Sequence, residues 1–394
     1  MALPNINIQL GNGGLGLVIP TNDALAGMIL QGPAPASLDL LQTVLITSLQ
    51  AAVDLGITAA YDTANGKTAH KNIRLFYETA GTGAQLWIMF VSEALNMATI
   101  LDVAEPYAVK LLNAAGGGIR MLTVVRDPAT AYSPSIVTAL DEDVLNAATK
   151  AQALTLSFTQ KFKPLRVIVP GYGYNGTAGD LPDLKTRTNN RVAILLGDTI
   201  GGLKSAVGVL LGRLASDPVQ RNPGRVKSGS LPILAGFIGT ETVDQADGDV
   251  DVIDGKGFIT LRKHIGLSGF YFTNDHTAAA ATDDYRSLAR GRIIDKAIFL
   301  AYTVYVNELL DEIRVDPING RIERGQAKFL QQIVDRQINE SMTANDEIIS
   351  VSVFVDATQN ILSTGKICIK LRIVPFGYAN AIEIDLGFSN PALN

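Results

Sequence analysis

Gly11, Gly13 and Gly16 follow a short alternating segment and match G-x-G-x-x-G, the spacing with which dinucleotide sites present a helix N-terminus to a pyrophosphate. That chemistry requires a helix to open within the motif. Here Pro20 and polar residues follow instead, so the glycines read as a flexible connector. No G-x-x-x-x-G-K-[ST] phosphate loop occurs in the chain. The 3 histidines, His70, His264 and His276, are far apart and lack the H-x-x-x-H or H-E-x-x-H spacing of a zinc site. His276 lies within Asn274-Asp-His-Thr277, but no G-x-S-x-G nucleophile elbow accompanies it, which favours a turn closed by side-chain hydrogen bonds. The acidic run from Asp244 to Asp254 lacks the ordered D-x-D-x-D-G-x5-E ligands of a calcium loop and reads as a solvated loop. Asp141, Glu142 and Asp143 fit the acidic first turn of a helix. A single cysteine, Cys368, excludes an intrachain disulfide and a cysteine zinc site. No catalytic, cofactor or metal site is expected.

The elements that would position such groups come from a chain of 394 residues, enough for about two domains. Apolar residues make up 47% and charged residues 18%, which fits a well-buried globular protein that also covers surface against other subunits. The formal net charge of -5, from 33 Lys and Arg against 38 Asp and Glu, offers no basic footprint for phosphate neutralisation, so nucleic acid is not an expected partner. The first residues lack a basic region followed by an apolar run, and no apolar stretch reaches the length of a membrane span. Synthesis in the cytosol, with retention or assembly there, is expected.

Asn5 to Leu10 alternates, with Ile6, Ile8 and Leu10 on one side, and reads as a half-buried strand tethered through Gly11, Gly13, Gly14 and Gly16. Residues 24–31 read as a short strand or turn, Leu38 to Asp54 as a helix capped by Ser37, His70 to Thr79 as a second helix, and Gln85 to Val91 as a buried strand. Helices at 102–113, 140–160 and 202–215 then alternate with strands at 119–125, 166–169 and 191–196, an α/β pattern that argues for a doubly covered sheet. Residues 217–230 read as a surface loop. The last part changes character, with long helices over 283–312 and 322–342, two facing strands, Ile348 to Asp356 and Lys366 to Ile373, and a final alternating run from Ala381 to Leu386 beyond Gly377.

The polar faces of these last strands carry opposite charge. Lys366, Lys370 and Arg372 alternate with Ile367, Ile369, Leu371 and Ile373, whereas Glu383 and Asp385 alternate with Ile382, Ile384 and Leu386. Cross-strand pairing would match apolar to apolar and acid to base. The strands could form one intrachain sheet. The two outermost are also terminal, short and glycine-tethered, the properties of arms that complete the sheet of another subunit by β-augmentation.

Thr273-Asn-Asp-His-Thr277, Asp284-Tyr285, Arg290, Arg292 and Asp295-Lys296 at the head of a long helix, then Asp316-Pro-Ile-Asn-Gly320, a second helix and the alternating strands, resemble the core domain of contractile tail sheath proteins. Gln31-Gly-Pro33, Val44 to Ser48, Ala52 to Gly56, His70 to Thr79 and Ala80 to Val91 follow the same family order, while the middle of the chain departs from the commoner phage sheaths.

The resemblance implies an inner domain made of residues 21–95 and 266–376, an inserted outer domain at 96–265, and arms at 1–20 and 377–394. It implies a structural subunit, not an enzyme, that stacks as hexameric rings around a tail tube, meets baseplate and tail terminator proteins, and contracts to drive the tube through a target envelope. Its place would be a virion tail assembled in the bacterial host cytoplasm, with no direct membrane insertion. Ile6, Ile8, Leu10, Ile382, Glu383, Ile384, Asp385 and Leu386 would then be given to neighbours, and Lys370 and Arg372 would lie on the accepting strand. Gly11, Gly13, Gly14, Gly16 and Gly377 would be hinges. Arg324, Lys328 and Arg336 share a helix face and would meet an acidic tube surface. A non-contractile strand-exchanging shell or tail component, and a nucleotide-binding α/β enzyme using Gly11 to Gly16, are the alternatives.

Overall fold

The computed structural model describes residues 22–388. Ile6, Ile8, Leu10 and the glycines at 11, 13, 14 and 16 lie outside the described residues.

Strands β1 (Ala26–Gln31), β2 (Thr43–Ile46), β3 (Leu86–Val91), β4 (Met121–Val125), β5 (Arg166–Pro170) and β6 (Val192–Leu195) form one six-stranded sheet in the order β2-β3-β1-β4-β5-β6. Every neighbouring pair is parallel except β2 with β3. β1, β4, β5 and β6 are buried at every position, as strands must be when crossover helices cover both faces of a parallel sheet. The crossovers are α1 (Leu49–Asp54), α2 (Ala59–Asn65) and α3 (Ala69–Ala80) before β3, α4 (Met97–Ile100) and α5 (Pro106–Ala114) before β4, and α6 (Glu142–Thr159) before β5. Helix α7 (Val207–Ser216) follows β6 and packs along α3. Gly208 and Gly212 face α3 so closely that a Cβ on them would lie 2.1 Å from the Asn72 carbonyl oxygen and 2.6 Å from that of Phe76.

Two expectations are corrected here. Leu38 to Asp54 is not one helix. Thr43–Ile46 pairs antiparallel with Leu86–Met89, a partner remote in sequence that overrides the local spacing, and helix starts only at Ser48, whose side chain accepts from the Ala51 N–H at 3.2 Å. The acidic run is not a solvated loop, because α8 (Asp247–Gly255) forms within it and buries Val250 and Ile253. β1 sits between β3 and β4, so residues 26–31 and 86–91 share a sheet with 121–195. The apolar clusters divide further on. One runs from Leu25 to Leu288, and the others lie almost wholly beyond it.

The C-terminal body consists of α9 (Leu288–Tyr305), α10 (Arg324–Ile338) and a two-stranded antiparallel sheet of β7 (Ser350–Val355) and β8 (Ile369–Val374). Ile293, Leu300, Val334, Ile338, Met342 and Val353 form its core. Helix α9 is shorter than the expected 283–312. The Ser287 side chain caps it through the Arg290 N–H, and it ends in a 3-10 turn, Val306–Glu308, before the exposed Leu309 and Leu310. Helix α10 likewise gives way to a π turn at Asn339–Thr343 inside the expected 322–342.

Candidate assembly interface

The signature around residues 273–296 builds the joint between the two bodies. Asp275 is buried beneath the start of α9, where its Oδ2 accepts from the Ala289 N–H at 2.9 Å and its backbone carbonyl from the Leu288 N–H at 2.8 Å. Burial raises its pKa, opposed by the hydrogen bond from the Ala289 N–H. His276 Nε2 stands 3.3 Å from Asp254 at the end of α8. One turn into α9, the buried Arg292 donates to the Asp217 carbonyl at 3.1 Å, and burial pushes its pKa down to about 10. Asp316 closes its own turn, accepting from the Ile318 N–H at 2.8 Å, with Gly320 at a left-handed φ of 65°.

Asp295 makes the strongest link. Its Oδ2 accepts from Arg166 Nε at 2.7 Å and its Oδ1 from Arg191 at 2.9 Å. Arg166 projects from β5 and is fully buried, which lowers its pKa. Gly291 makes room for it, since a Cβ there would lie 2.2 Å from the guanidinium carbon. Lys296 pairs with Asp23 at 2.8 Å and with Glu347 at 2.7 Å. Arg120 lies 5.0 Å over the Phe299 ring, and Phe162 stacks on Tyr302 at 4.3 Å. Helix α9 is thus a spine bonded on both sides.

The outer side of this joint carries the strand edges. β8 pairs only with β7, so among the described residues each keeps one edge without a strand partner. Ile369, Leu371 and Ile373 are half-buried on the core, while Lys370 and Arg372 are exposed on the other face. Beside β8 a groove of about 640 Å³ is lined by the apolar Ile293, Ile294, Leu371, Ile373 and Pro375, by Tyr285, and by the charged Asp284, Arg290 and Arg372. No β7 residue lines it, so it opens at the bare edge of β8. The run expected as a strand, residues 381–386, belongs to no regular element in the single chain, with Ile382 and Ile384 80% exposed and Leu386 90% exposed. Glu383 and Asp385 are exposed as well, and Gly377 is exposed with open space around it. Arg324, Lys328 and Arg336 are exposed on α10 beside Phe329, while Ala327, Leu330 and Val334 turn inward.

The parallel strands β3-β1-β4-β5-β6 place a topological switch point at the carboxyl ends of β1 and β4, where open α/β sheets bind ligands. Protein groups occupy it. Buried Gln31 donates to the Leu95 carbonyl at 2.6 Å and accepts from the Asp127 N–H at 3.0 Å. Lys67 donates to the Asp127 and Pro128 carbonyls and pairs with Glu93 at 2.5 Å. Lys204 pairs with Asp127 at 2.5 Å.

The sequence placed Asp295 in a motif and its partners Arg166 and Arg191 only at the starts of strands, and it gave no role to Tyr378 or to the Gly208/Gly212 contact. Only the last left a local signal, two glycines one helical turn apart.

This mixed α/β fold, a mixed sheet joined through α9 to a small C-terminal body, matches that of contractile-sheath structures. The anti-feeding prophage (AFP) helical sheath in its contracted state is 15% identical, with 99% of each chain covered and a TM-score of 0.62. A chain of the 6-fold symmetrised AFP baseplate is 14% identical, with 99% of this chain and 100% of that one covered and a TM-score of 0.62. The PVC sheath complex of an extracellular contractile injection system, also contracted, is 11% identical, with 100% and 99% covered and a TM-score of 0.62. No curated protein matches the sequence. The chain belongs to the DUF2586 family, matching its N-terminal domain over residues 3–276 and its C-terminal domain over 284–393. That boundary coincides with the joint at α9.

Proposed function

We propose that this chain is the repeating subunit of a contractile sheath, a structural and not a catalytic protein. Its partners are other copies of itself in stacked hexameric rings, a tail tube, and baseplate and terminator proteins, in a virion tail assembled in the host cytoplasm. One observation carries the reading: the β8 edge, without a strand partner among the described residues, with its groove of apolar and charged residues, and the exposed run at 381–386 complement each other in alternation and in charge. Strands given by the terminal segments would pair with such edges on neighbours, giving a mesh that stays bonded while Gly377 and the glycines at 11–16 absorb the change of direction. Contraction then runs from a metastable extended state to one with better subunit burial, without a nucleotide. The cationic face of α10 at Arg324, Lys328 and Arg336 is the proposed tube contact. The protein groups at the switch point favour this reading over a nucleotide enzyme.

Electron microscopy of the purified chain should show long hollow polymers. Closed shells would favour a non-contractile role instead, and persistent monomers would refute assembly. Removing residues 381–394 should leave a folded subunit that does not polymerise; unfolding on truncation would assign the segment to the subunit's own core. Glu383→Lys with Asp385→Lys should raise the critical concentration roughly tenfold. Lys370→Glu with Arg372→Glu in the same chain should recover part of that loss, and sedimentation showing no recovery would exclude this pairing.

A further inference from the structure

An arm that is to be exchanged must first avoid pairing with its own chain. In an antiparallel hairpin turning through residues 375–380, Ile382, Ile384 and Leu386 would face Ile373, Leu371 and Ile369, and Glu383 and Asp385 would face Arg372 and Lys370. That register satisfies every position, apolar against apolar and acid against base. A tethered strand also meets its own chain at an effective concentration in the ~mM range. Local sequence therefore favours a closed hairpin, yet residues 381–388 form no strand.

The connecting segment is held elsewhere. Beyond Val374 the chain crosses onto the N-terminal body, where the Tyr378 hydroxyl donates to the backbone carbonyl of Gln220. Tyr378 lines two cavities. One, of about 220 Å³, is bounded by Asn222, Asn274, Asp275, Arg290 and Asn380. The other, of about 910 Å³, is bounded by Arg225, Arg262, Phe272 and Phe376. Tyr378 is 37% exposed, and burial of the rest pushes its phenol up to about 12, which keeps the hydroxyl a donor. Gln220 in turn donates its side-chain amide to the Asp346 carbonyl at 2.9 Å, so the receiving loop is tied to the C-terminal body and the anchor is fixed relative to β8. Gly377 has nothing within 4 Å of where a Cβ would stand, so release of Tyr378 would leave the backbone free to swing.

We propose that Tyr378 is a positioning residue that denies residues 381–386 the bare edge of their own β8 and thereby commits them to another copy. Its purpose rests on the strand-exchange reading, but the effect itself is a property of the free subunit. Domain-swapping logic gives the direction: whatever prevents closure on the same chain raises the share of exchanged pairing.

Hydrogen exchange on the full-length free subunit tests it. In the wild type the amides of 381–386 should exchange at the rate of an unstructured chain. In Tyr378→Ala they should become protected at least tenfold, together with amides on the bare edge of β8, and the closed subunits should fail to enter polymers. Tyr378→Phe, which keeps the ring and removes only the hydrogen bond, should fold normally and show partial protection. This keeps the test decisive if the alanine variant folds poorly. A role confined to packing would not create new protection in 381–386. The proposal is overturned if these amides stay unprotected in both variants, or if they are already protected in the wild type. Truncation of 381–394 probes exchange separately, so either idea can fail without the other.

Discussion

Replacing Asp295 with Ala should destabilise the chain by about 3–5 kcal/mol, the usual cost of breaking a buried ion pair from one side. Arg166 and Arg191 would be left facing each other with no carboxylate between them, and Arg166 has no route to solvent. Water cannot screen them as it screens a surface pair. The carboxylate belongs to the C-terminal body and both arginines to the N-terminal body, so the loss should also uncouple the two. The single tryptophan, Trp87, lies in β3 and reports only on the sheet, whereas circular dichroism follows every helix. In urea the two signals should coincide for the wild type and separate for Asp295→Ala. Asp295→Asn, which keeps the shape and loses the charge, should fall between. Coincident transitions with less than about 1 kcal/mol lost would contradict the role given to this link.

Gly208→Val is the second large effect. Glycine inside a helix costs about 1 kcal/mol relative to alanine, so propensity alone predicts stabilisation on substitution. Sterics win here, because the added carbon would lie 2.1 Å from the Asn72 backbone oxygen, and that backbone is held by the Asn72 side chain, which accepts from the Gly208 N–H at 3.0 Å and donates to the Thr68 carbonyl at 2.9 Å. Helices α3 and α7 must separate, and overpacking of this kind costs about 3 kcal/mol or more. Gly212→Ala should follow the same direction with a smaller loss, its nearest contact being 2.6 Å. Gly325→Ala on α10 is the control. Nothing lies within 4 Å of that position, so the substitution should be neutral or stabilise by up to about 1 kcal/mol. Thermal unfolding of the three variants checks the ordering, and a stable Gly208→Val would rule out this close approach of the helices.

What was legible in the sequence follows from where its interactions lie. Helices α3 and α6 and strands β3 to β6 could be read because periodicity and burial are local properties, and the alternation of Lys370 and Arg372 with Leu371 and Ile373 already defined the two faces of β8. Thr43–Ile46 could not be read, since only its pairing with β3 makes it a strand. The insertion of β1 between β3 and β4 could not be read for a related reason: it is a matter of sheet order, on which hydrophobic pattern is silent. Asp295 stood out within its motif, but its partners are 129 and 104 residues away. The signature at 273–296 pointed to a family and, in the folded chain, proves to be the joint that holds two bodies together.

The β7–β8 sheet, with one edge on each side bare among the described residues, has a consequence for size. A self-complementary patch is satisfied in a pair, and growth stops there. A subunit that gives strands from its ends and receives them at its edges is different: every addition uses one vacancy and creates another. Such a row has no last member. On the strand exchange proposed above, the length of a polymer would not be written in this chain, and any fixed length would have to be imposed from outside, by a ruler along the axis or by a cap that receives a strand and offers none.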